Sequence, residues 1–394
     1  MKKKQKKLNK LAIRRCIIVF LAIIIFLILI SSIINKNKNK YKELTILLNN
    51  EFIEASKEVI IEDDNIFFSK EDIKRVFDDT IYYNEAEKEL ITTYNTHVAL
   101  LKVDEQYALI NDQNVELKGK LKEANDTIYL PLTDLEAVYD IDLEFSKNSN
   151  RIIIDSTQKK KVEATILKRT NVKNKKGLFS KNIEKLIIGD KVTVLEENGN
   201  YKKIRTALGN IGYVKSKALS DDIVIREDLQ TNNKQELVVY NGYSNISGIY
   251  DNIQVDTSKL NVVVPTFFYI EKNSEVLDKS SVGTATYAVY KNWTDSNKLQ
   301  ILPVLTNDVP ISTSLLSYSE RSTIINSVKE LVKKNNYIGI NIDFEKIDDP
   351  NSFYRFILEL VPRFKAEDLK VFVTLNNTID KEKIENVVDY IIEE

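Results

Sequence analysis

The sequence predicts a multidomain protein: an N-terminal transmembrane helix, a duplicated α+β module, a small β-barrel and a final α/β domain of parallel strands. Three observations predict it. Residues 16–34 carry no charge, a shift of 62 lays one stretch of the chain over another, and beyond residue 235 strand-like runs alternate with helix-length intervals. The chain has 394 residues, 43% of them hydrophobic, with only 10 Gly and 6 Pro. That is the composition of folded domains rather than of disordered segments.

The uncharged stretch CIIVFLAIIIFLILISSII (16–34) would rise about 28 Å as a helix, enough to cover a bilayer core of about 30 Å. A signal peptide has a shorter apolar core and a small-residue cleavage site, and no A-x-A-like site follows this one. Eight basic residues lie in the tail 1–15, and only Lys36, Lys38, Lys40 and Lys42 follow the span. The positive-inside rule then puts the N-terminus in the cytoplasm and everything beyond about residue 40 outside, in a single-pass cell-membrane protein. Without the basic tail the chain has a net charge of −9. Its body has no surplus of cations to replace phosphate counterions, so no nucleic-acid partner is expected. The one cysteine, Cys16, lies at the inner edge of the span, and the one histidine is His97. Such a pair excludes the usual zinc sites and a Ser-His-Asp triad; no metal and no cofactor are expected.

Residues 45–157 hold the repeat. IFFSKEDIKRVFDDTIYYNEAEKELI (66–91) aligns without gaps on IYLPLTDLEAVYDIDLEFSKNSNRII (128–153), with Asp72/Asp134, Val76/Val138 and Asp78/Asp140 identical. Each copy reads strand, short helix, strand, strand. The pattern resembles the copper amine oxidase N-terminal-like domain, a name that implies no copper here. The module is either a spacer above the membrane or a wall-binding unit. From 161 to 220 short alternating strands are separated by the turn signals Asn198-Gly199-Asn200 and Gly209-Asn210. GDKVTVL, NGNYKKI and GNIGYV in that order resemble a bacterial SH3-like domain, which implies a peptide or glycan groove near Tyr201.

After a polar linker come ELVVYNGY, LNVVVPTFFYI, QILPVLTN, YIGINIDFE and LKVFVTLN, five strand-like runs of a βαβα pattern over 235–394. One intervening helix opens with the capping box Ser317-x-x-Glu320, with Ile324, Val328 and Leu331 at helical spacing. Another opens with Asp349-Pro350, cap and first turn, and buries Phe353, Ile357 and Leu360. The architecture expected is a (β/α)8 TIM barrel. It is incomplete: such a barrel takes about 250 residues, and about 160 follow the linker. The last segment is expected to form a helix capped by Asp380, with Ile384, Val387 and Val388 on one face, followed at Tyr390 by the opening of a sixth strand. We therefore expect the chain to be a C-terminally truncated piece of a longer enzyme, inactive by itself, or else a natural short form.

Chemistry concentrates in Tyr337–Glu345. Read as one strand, it puts Ile340, Ile342 and Phe344 on one side and Asn341, Asp343 and Glu345 on the other. Asp343 and Glu345 would then have Cα atoms about 6.6 Å apart, close enough for mutual repulsion and burial to keep one of them protonated. G-I-N-I-D-F-E resembles the D-x-x-[DN]-x-D-x-E signature of glycoside hydrolase family 18. Asn341, Asp343 and Glu345 fall on its second, third and fourth positions, and Ile338 stands in place of its first Asp. VVVPTFF further resembles the V-V-S-P-T-W-F strand of the family's bacterial cell-wall and spore-cortex branch, with Phe267 in place of Trp.

The resemblance implies a hydrolase of N-acetylglucosamine linkages in peptidoglycan or a chitin-like glycan. Glu345 would be the general acid, and Asp343 would orient the 2-acetamido group that supplies the nucleophile. Asn341 completes the catalytic set, and Phe267 is expected at the substrate. Asn307 and Asn376, at strand ends, either line the cleft or cap loops, and Trp293 is expected to pack in the core. The competing reading is a non-catalytic glycan-binding protein with a degenerate barrel.

Overall fold

The computed structural model describes residues 43–177, 179–228, 239–240, 258, 260–280 and 284–393. The basic tail and the expected span 16–34 lie outside the described residues, and among these no helix is long and apolar enough to cross a membrane. Strands predominate over helices among the described residues, which include four α-helices. It falls into two compact units, one within Met1–Glu54 and Ile141–Leu229, the other within Ala55–Asp140 and Gln230–Glu394. That division cuts through the duplicated segment, whose two ends belong to the first unit and whose middle belongs to the second.

The repeat is visible strand by strand. Its first copy runs β1 (Thr45–Leu48), β2 (Glu51–Ile53), β3 (Ile60–Glu62), β4 (Asn65–Ser69), helix α1 (Lys70–Val76), β5 (Tyr82–Asn84) and β6 (Glu89–Tyr94). After β7 (His97–Lys102) the second copy runs β8 (Tyr107–Ile110), β9 (Gln113–Glu116), β10 (Lys122–Ala124), β11 (Thr127–Pro131), β12 (Ile141–Ser146) and β13 (Arg151–Ser156). The shared aspartates do the same work twice. Asp72 accepts the N–H groups of Ser56 and Lys57 at 2.7 and 3.4 Å, and Asp134 those of Lys118 and Gly119 at 3.1 and 2.8 Å. The hairpin turns repeat as well. Asn49-Asn50 matches Asn111-Asp112 and Asp63-Asp64 matches Asn125-Asp126, all at positive φ, which Asn and Asp tolerate because their short side chains bond locally.

In the first unit, β1, β2, β12 and β13 form one sheet. A second sheet of seven strands follows: β14 (Lys161–Thr165), β15 (Thr170–Lys173), β16 (Asn182–Leu186), β17 (Lys191–Asn198), β18 (Tyr201–Thr206), β19 (Ile211–Lys215) and β20 (Ile223–Arg226), in the order β16-β15-β19-β18-β17-β14-β20. Gly199 and Gly209, at φ 62° and 74°, make the turns on either side of β18. The core is Ile166, Val172, Val192, Ile204 and Val214. Tyr201 is half-buried.

In the second unit, β3, β4, β10 and β11 make a four-stranded sheet in which the two copies pair through β4 and β11. Strands β5 to β9 make a five-stranded meander. The C-terminal part consists of β21 (Val239–Tyr240), β22 (Val262–Val263), β23 (Thr266–Ile270), β24 (Val276–Asp278), α2 (Thr284–Ser296), β25 (Gln300–Ile301), β26 (Val304–Asn307), α3 (Tyr318–Lys334), β27 (Gly339–Ile342), α4 (Pro350–Lys365), β28 (Lys370–Thr374) and β29 (Tyr390–Ile392). Pro265 and Pro303, which have no N–H to give the ladder, divide two long strands into β22/β23 and β25/β26. Bonds across the breaks keep the register: Leu302 N–H to the Val263 carbonyl at 2.9 Å and Val304 N–H to that of Pro265 at 2.8 Å. Counted this way, six parallel strands follow one another in sequence order with no reversal.

The two faces of this sheet differ. Toward α2, α3 and α4 lies a large core that includes Ile340, Ile342, Phe344, Phe353, Phe356, Val371 and Val373. The other face carries a smaller cluster of Val262, Val264, Leu302, Val304 and Phe372. Both expected helix starts form. Ser317 and Glu320 make the reciprocal capping box, and Asp349 accepts the Asn351 N–H with Pro350 in the first turn. The helix expected after Asp380 does not: Asp380 caps a single 3-10 turn, Lys381–Lys383, and Ile384 and Val388 are buried beyond it.

Candidate active site

Strand β27 lies in the middle of the sheet, between β26 and β28, and all four of its residues are buried. Gly339 lets it come this close: a Cβ there would stand 2.0 Å from the Lys370 carbonyl oxygen. The strand ends at Ile342, three residues short of the expected end. Asp343 therefore sits at the C-terminal edge, where its N–H still bonds β26, and Glu345 on the connection beyond it. Phe344 keeps to the helix side, packed on Phe353 and Phe356 with ring centroids 5.8 and 5.6 Å away. Its flanking carboxylates turn the other way. Asp343 is half-buried, with its N–H on the Leu305 carbonyl at 3.0 Å, and Glu345 is exposed. The expectation that burial surrounds both carboxylates is corrected for Glu345, which the end of the strand releases to solvent.

Two asparagines hold this connection from either side. Asn307, at the end of β26, is buried; its Oδ1 accepts the Glu345 N–H at 2.9 Å and the Lys346 N–H at 3.3 Å. Its Nδ2 donates to the carbonyls of Val309 and Lys346 at 2.8 and 3.1 Å. Asn376, just beyond β28, donates to the Phe344 carbonyl at 2.8 Å and accepts the Thr378 N–H at 2.9 Å. Of the two roles open to them from the sequence, the geometry is that of loop capping. Lys346, which the sequence reading passed over, ties the same connection down through its Nζ, 2.5 Å from the Asp308 carbonyl.

Asn341 is fully buried, and its Nδ2 donates to Thr374 Oγ1 at 2.9 Å. Thr374 was legible only through the alternation of LKVFVTLN, which puts it on the same side as Phe372. Phe267 is not at the substrate position expected of it. It is wholly buried on the helix side, 6.0 Å from each of the rings of Tyr287, Tyr290 and Tyr337. The period of two running from Val263 already puts Phe267 on the helix side, and the irregularity in the β23–β26 register between Thr266 and Phe268 turns Phe268 to that side as well. Trp293 packs beside Tyr290, with centroids 5.7 Å apart. Burial, followed by the hydrogen bond with Tyr287, pushes the Tyr337 phenol up, so it stays neutral in this core.

Asn341, Asp343 and Glu345 thus stand in succession at the C-terminal edge of one central strand, the last on a connection braced from both neighbouring strands. An exposed carboxyl beside a half-buried one, on a fixed backbone, can exchange protons with a bound ligand and accept its hydrogen bonds.

Residues 47–154 match the family described as copper amine oxidase N-terminal domain, in agreement with the resemblance read from the repeat. A search of curated proteins finds no match. Among solved structures, the chain is similar to a class V chitinase from Pseudomonas fluorescens Pf-5, with 17% identity over 40% of this chain and 53% of that one, at a TM-score of 0.36. It is similar to a chitinase from Chromobacterium violaceum, with 21% identity over 40% and 54%, at 0.32. It is also similar to the spore cortex-lytic enzyme SleL of Bacillus cereus, with 14% identity over 53% and 56%, at 0.33. The chain spans about half the length of each of these proteins.

Proposed function

We propose that the protein is a membrane-anchored, extracytoplasmic glycosidase of the family 18 type that hydrolyses N-acetylglucosamine linkages of peptidoglycan or a related glycan. In this reading residues 16–34 are the anchor, 161–220 an SH3-like wall-binding domain and 235–394 part of a (β/α)8 barrel. The observation that carries it is the run Asn341, Asp343, Glu345 at the C-terminal edge of a central parallel strand, the edge where barrels of this kind assemble their sites. Glu345 protonates the glycosidic oxygen as the bond to the anomeric carbon breaks. The carbonyl oxygen of the sugar's own acetamido group, oriented by Asp343, attacks that carbon from the opposite side. Water then opens the cyclic intermediate with Glu345 as base, and configuration is retained. Asn341, fixed by Thr374, precedes Asp343 at the same strand edge, while Asn307 and Asn376 hold the backbone still, as a geometry-dependent reaction requires.

The longer enzyme of which this chain is expected to be a piece is tested on purified sacculi by the appearance of new reducing ends. Glu345→Gln is expected to abolish their release while binding to sacculi persists. Reducing ends still released at the parental rate would sink the assignment of the acid. The second reading, a binding protein without turnover, is favoured by Ile338 in place of the motif's first Asp and by the exposure of Glu345. It predicts co-sedimentation with sacculi and no reducing ends from either form.

A further inference from the structure

A second site lies elsewhere in the same compact unit. Between the meander β5–β9 and helices α3 and α4 there is a cavity of about 640 Å³, within the range that encloses small ligands. Its floor is apolar: Ile91, Leu100, Leu109 and Tyr318 belong to one packed cluster or line it directly. Its rim is amide and hydroxyl, with Asn84 on the meander and Ser319 and Thr323 along α3, while Ser322 and Asn326 on the same helix are held by Asp112. Tyr82 forms part of the wall, with the Arg355 guanidinium 3.5 Å from its ring centroid.

The charges of the wall cancel. Glu89 pairs with Lys102 at 2.8 Å, Asp112 with Arg363 at 3.0 Å, and Arg321 with Glu359 at 2.6 Å. The remaining two, Glu87 and Arg355, are of opposite sign. A charged ligand would find no net countercharge. A neutral one with an apolar face and a hydroxylated edge would meet both the floor and the rim.

One further group points to a ligand. Glu359 is buried, and its Oε2 has no hydrogen-bond partner, although Oε1 accepts two bonds from Arg321. It lines a small niche of about 20 Å³ that shares Tyr82, Ile91 and Arg355 with the large cavity. That is room for one water or one hydroxyl, and a buried carboxylate oxygen calls for a donor in that place.

We propose that this cavity is a binding site for a neutral saccharide, separate from the carboxylates at the end of β27, which holds a glycan strand on the outer side of α3 and α4. Tyr82 and Tyr318 meet the apolar faces of the sugar rings, the α3 hydroxyls and Asn84 meet its edges, and the niche at Glu359 takes a single hydroxyl or a bridging water. The site rests on the cavity rather than on the glycosidase reading, and either can fail without the other.

The test is calorimetric titration of the full chain carrying Glu345→Gln with an N-acetylglucosamine tetramer. The same titration is repeated with Ser319→Trp or Thr323→Trp added, each of which fills the cavity from an exposed helix position. The result expected is a rise of tenfold or more in the Kd of one class of site in both Trp variants, with an unchanged Tm. Asp343→Asn should leave that class untouched. The proposal is overturned if both Trp variants bind as the parent does, if only Asp343→Asn removes binding, or if no binding is seen. It is equally overturned if a lysine-bearing peptide binds in the cavity more tightly than the sugar. Turnover by Glu345→Gln, by contrast, would count against the glycosidase reading alone.

Discussion

Asn307 has an amide oxygen that accepts two backbone N–H groups of the connection after β27 and an amide nitrogen that donates to a carbonyl there and to that of Val309 on the segment after β26. Replacing it with Ala strips part-buried carbonyls and N–H groups of their partners, at up to about 1–3 kcal/mol for any that water does not reach. Asn307→Ala is therefore expected to lower Tm by several degrees and to reduce turnover sharply, whereas Asn376→Ala, at a half-exposed position, is expected to do both more mildly. Thermal unfolding and reducing-end assays on the two variants check this; equal effects would contradict it. The sequence made these residues legible as strand-end asparagines but left their role open, because a cleft and a loop ask for the same amide. Phe267 was misread for a different reason. Its place was taken from the motif VVVPTFF, whereas the period of two counted from Val263 puts it on the helix side where it is found.

Among the elements, the starts of the two long helices α3 and α4 were legible to the residue, since a capping box and an Asp-Pro start are local signals read without tertiary context. The end of β27 was not. Its period of two continues through Phe344, which the helix-side core keeps in step after the ladder hydrogen bonds have stopped. The hairpins between β1 and β2 and between β8 and β9 were missed because they are turned by Asn and Asp pairs rather than by Asn-Gly. Gly339 gives the sharpest test at this scale. A methyl group 2.0 Å from the Lys370 carbonyl oxygen can be accommodated only by moving β27 away from β28. Gly339→Ala is expected to cost about 3 kcal/mol or more in denaturant unfolding, the upper end of overpacking effects. A loss below about 1 kcal/mol would mean that the two strands are less tightly joined than described.

At the scale of the second compact unit, the duplicated module meets the C-terminal helices through apolar contacts, a cation over the Tyr82 ring and a buried ion pair. Asp112, at the tip of the β8–β9 hairpin, accepts hydrogen bonds from Ser322, Asn326, Tyr318 and Arg363. Burial alone would raise its carboxyl; the bond and charge of Arg363, with the bonds from Ser322 and Asn326, bring it down to about 2 from 3.8. A carboxyl depressed in the folded state contributes stability above its unfolded value and loses it as pH falls through the folded one. The Asp112 contribution, about 2 kcal/mol, should thus be complete above pH 4 and fade toward pH 2. Asp112→Asn should remove that part of the acid dependence, and an unchanged unfolding profile between pH 4 and 2 would refute it. At Glu359 burial outweighs the pairing with Arg321 and pushes the carboxyl up. Glu359→Ala would leave Arg321 buried without a counterion, at about 3–5 kcal/mol, so its Tm should fall far more than that of Asp112→Asn. None of these long-range pairs was legible in the sequence, which gives charges but not their distant partners.

The same hairpin tip sets a schedule for synthesis. Asp112 and Arg363 are 251 residues apart in the chain, so at about 5–20 residues per second the ribosome needs roughly 10–50 s to deliver the second after the first. For most of that interval, until residue 318 is made, Ile91, Val98 and Leu100 lack Tyr318, which joins them in one apolar cluster. A nascent chain stalled before residue 318 should therefore bind a chaperone or a hydrophobic dye, and one released after residue 365 should not.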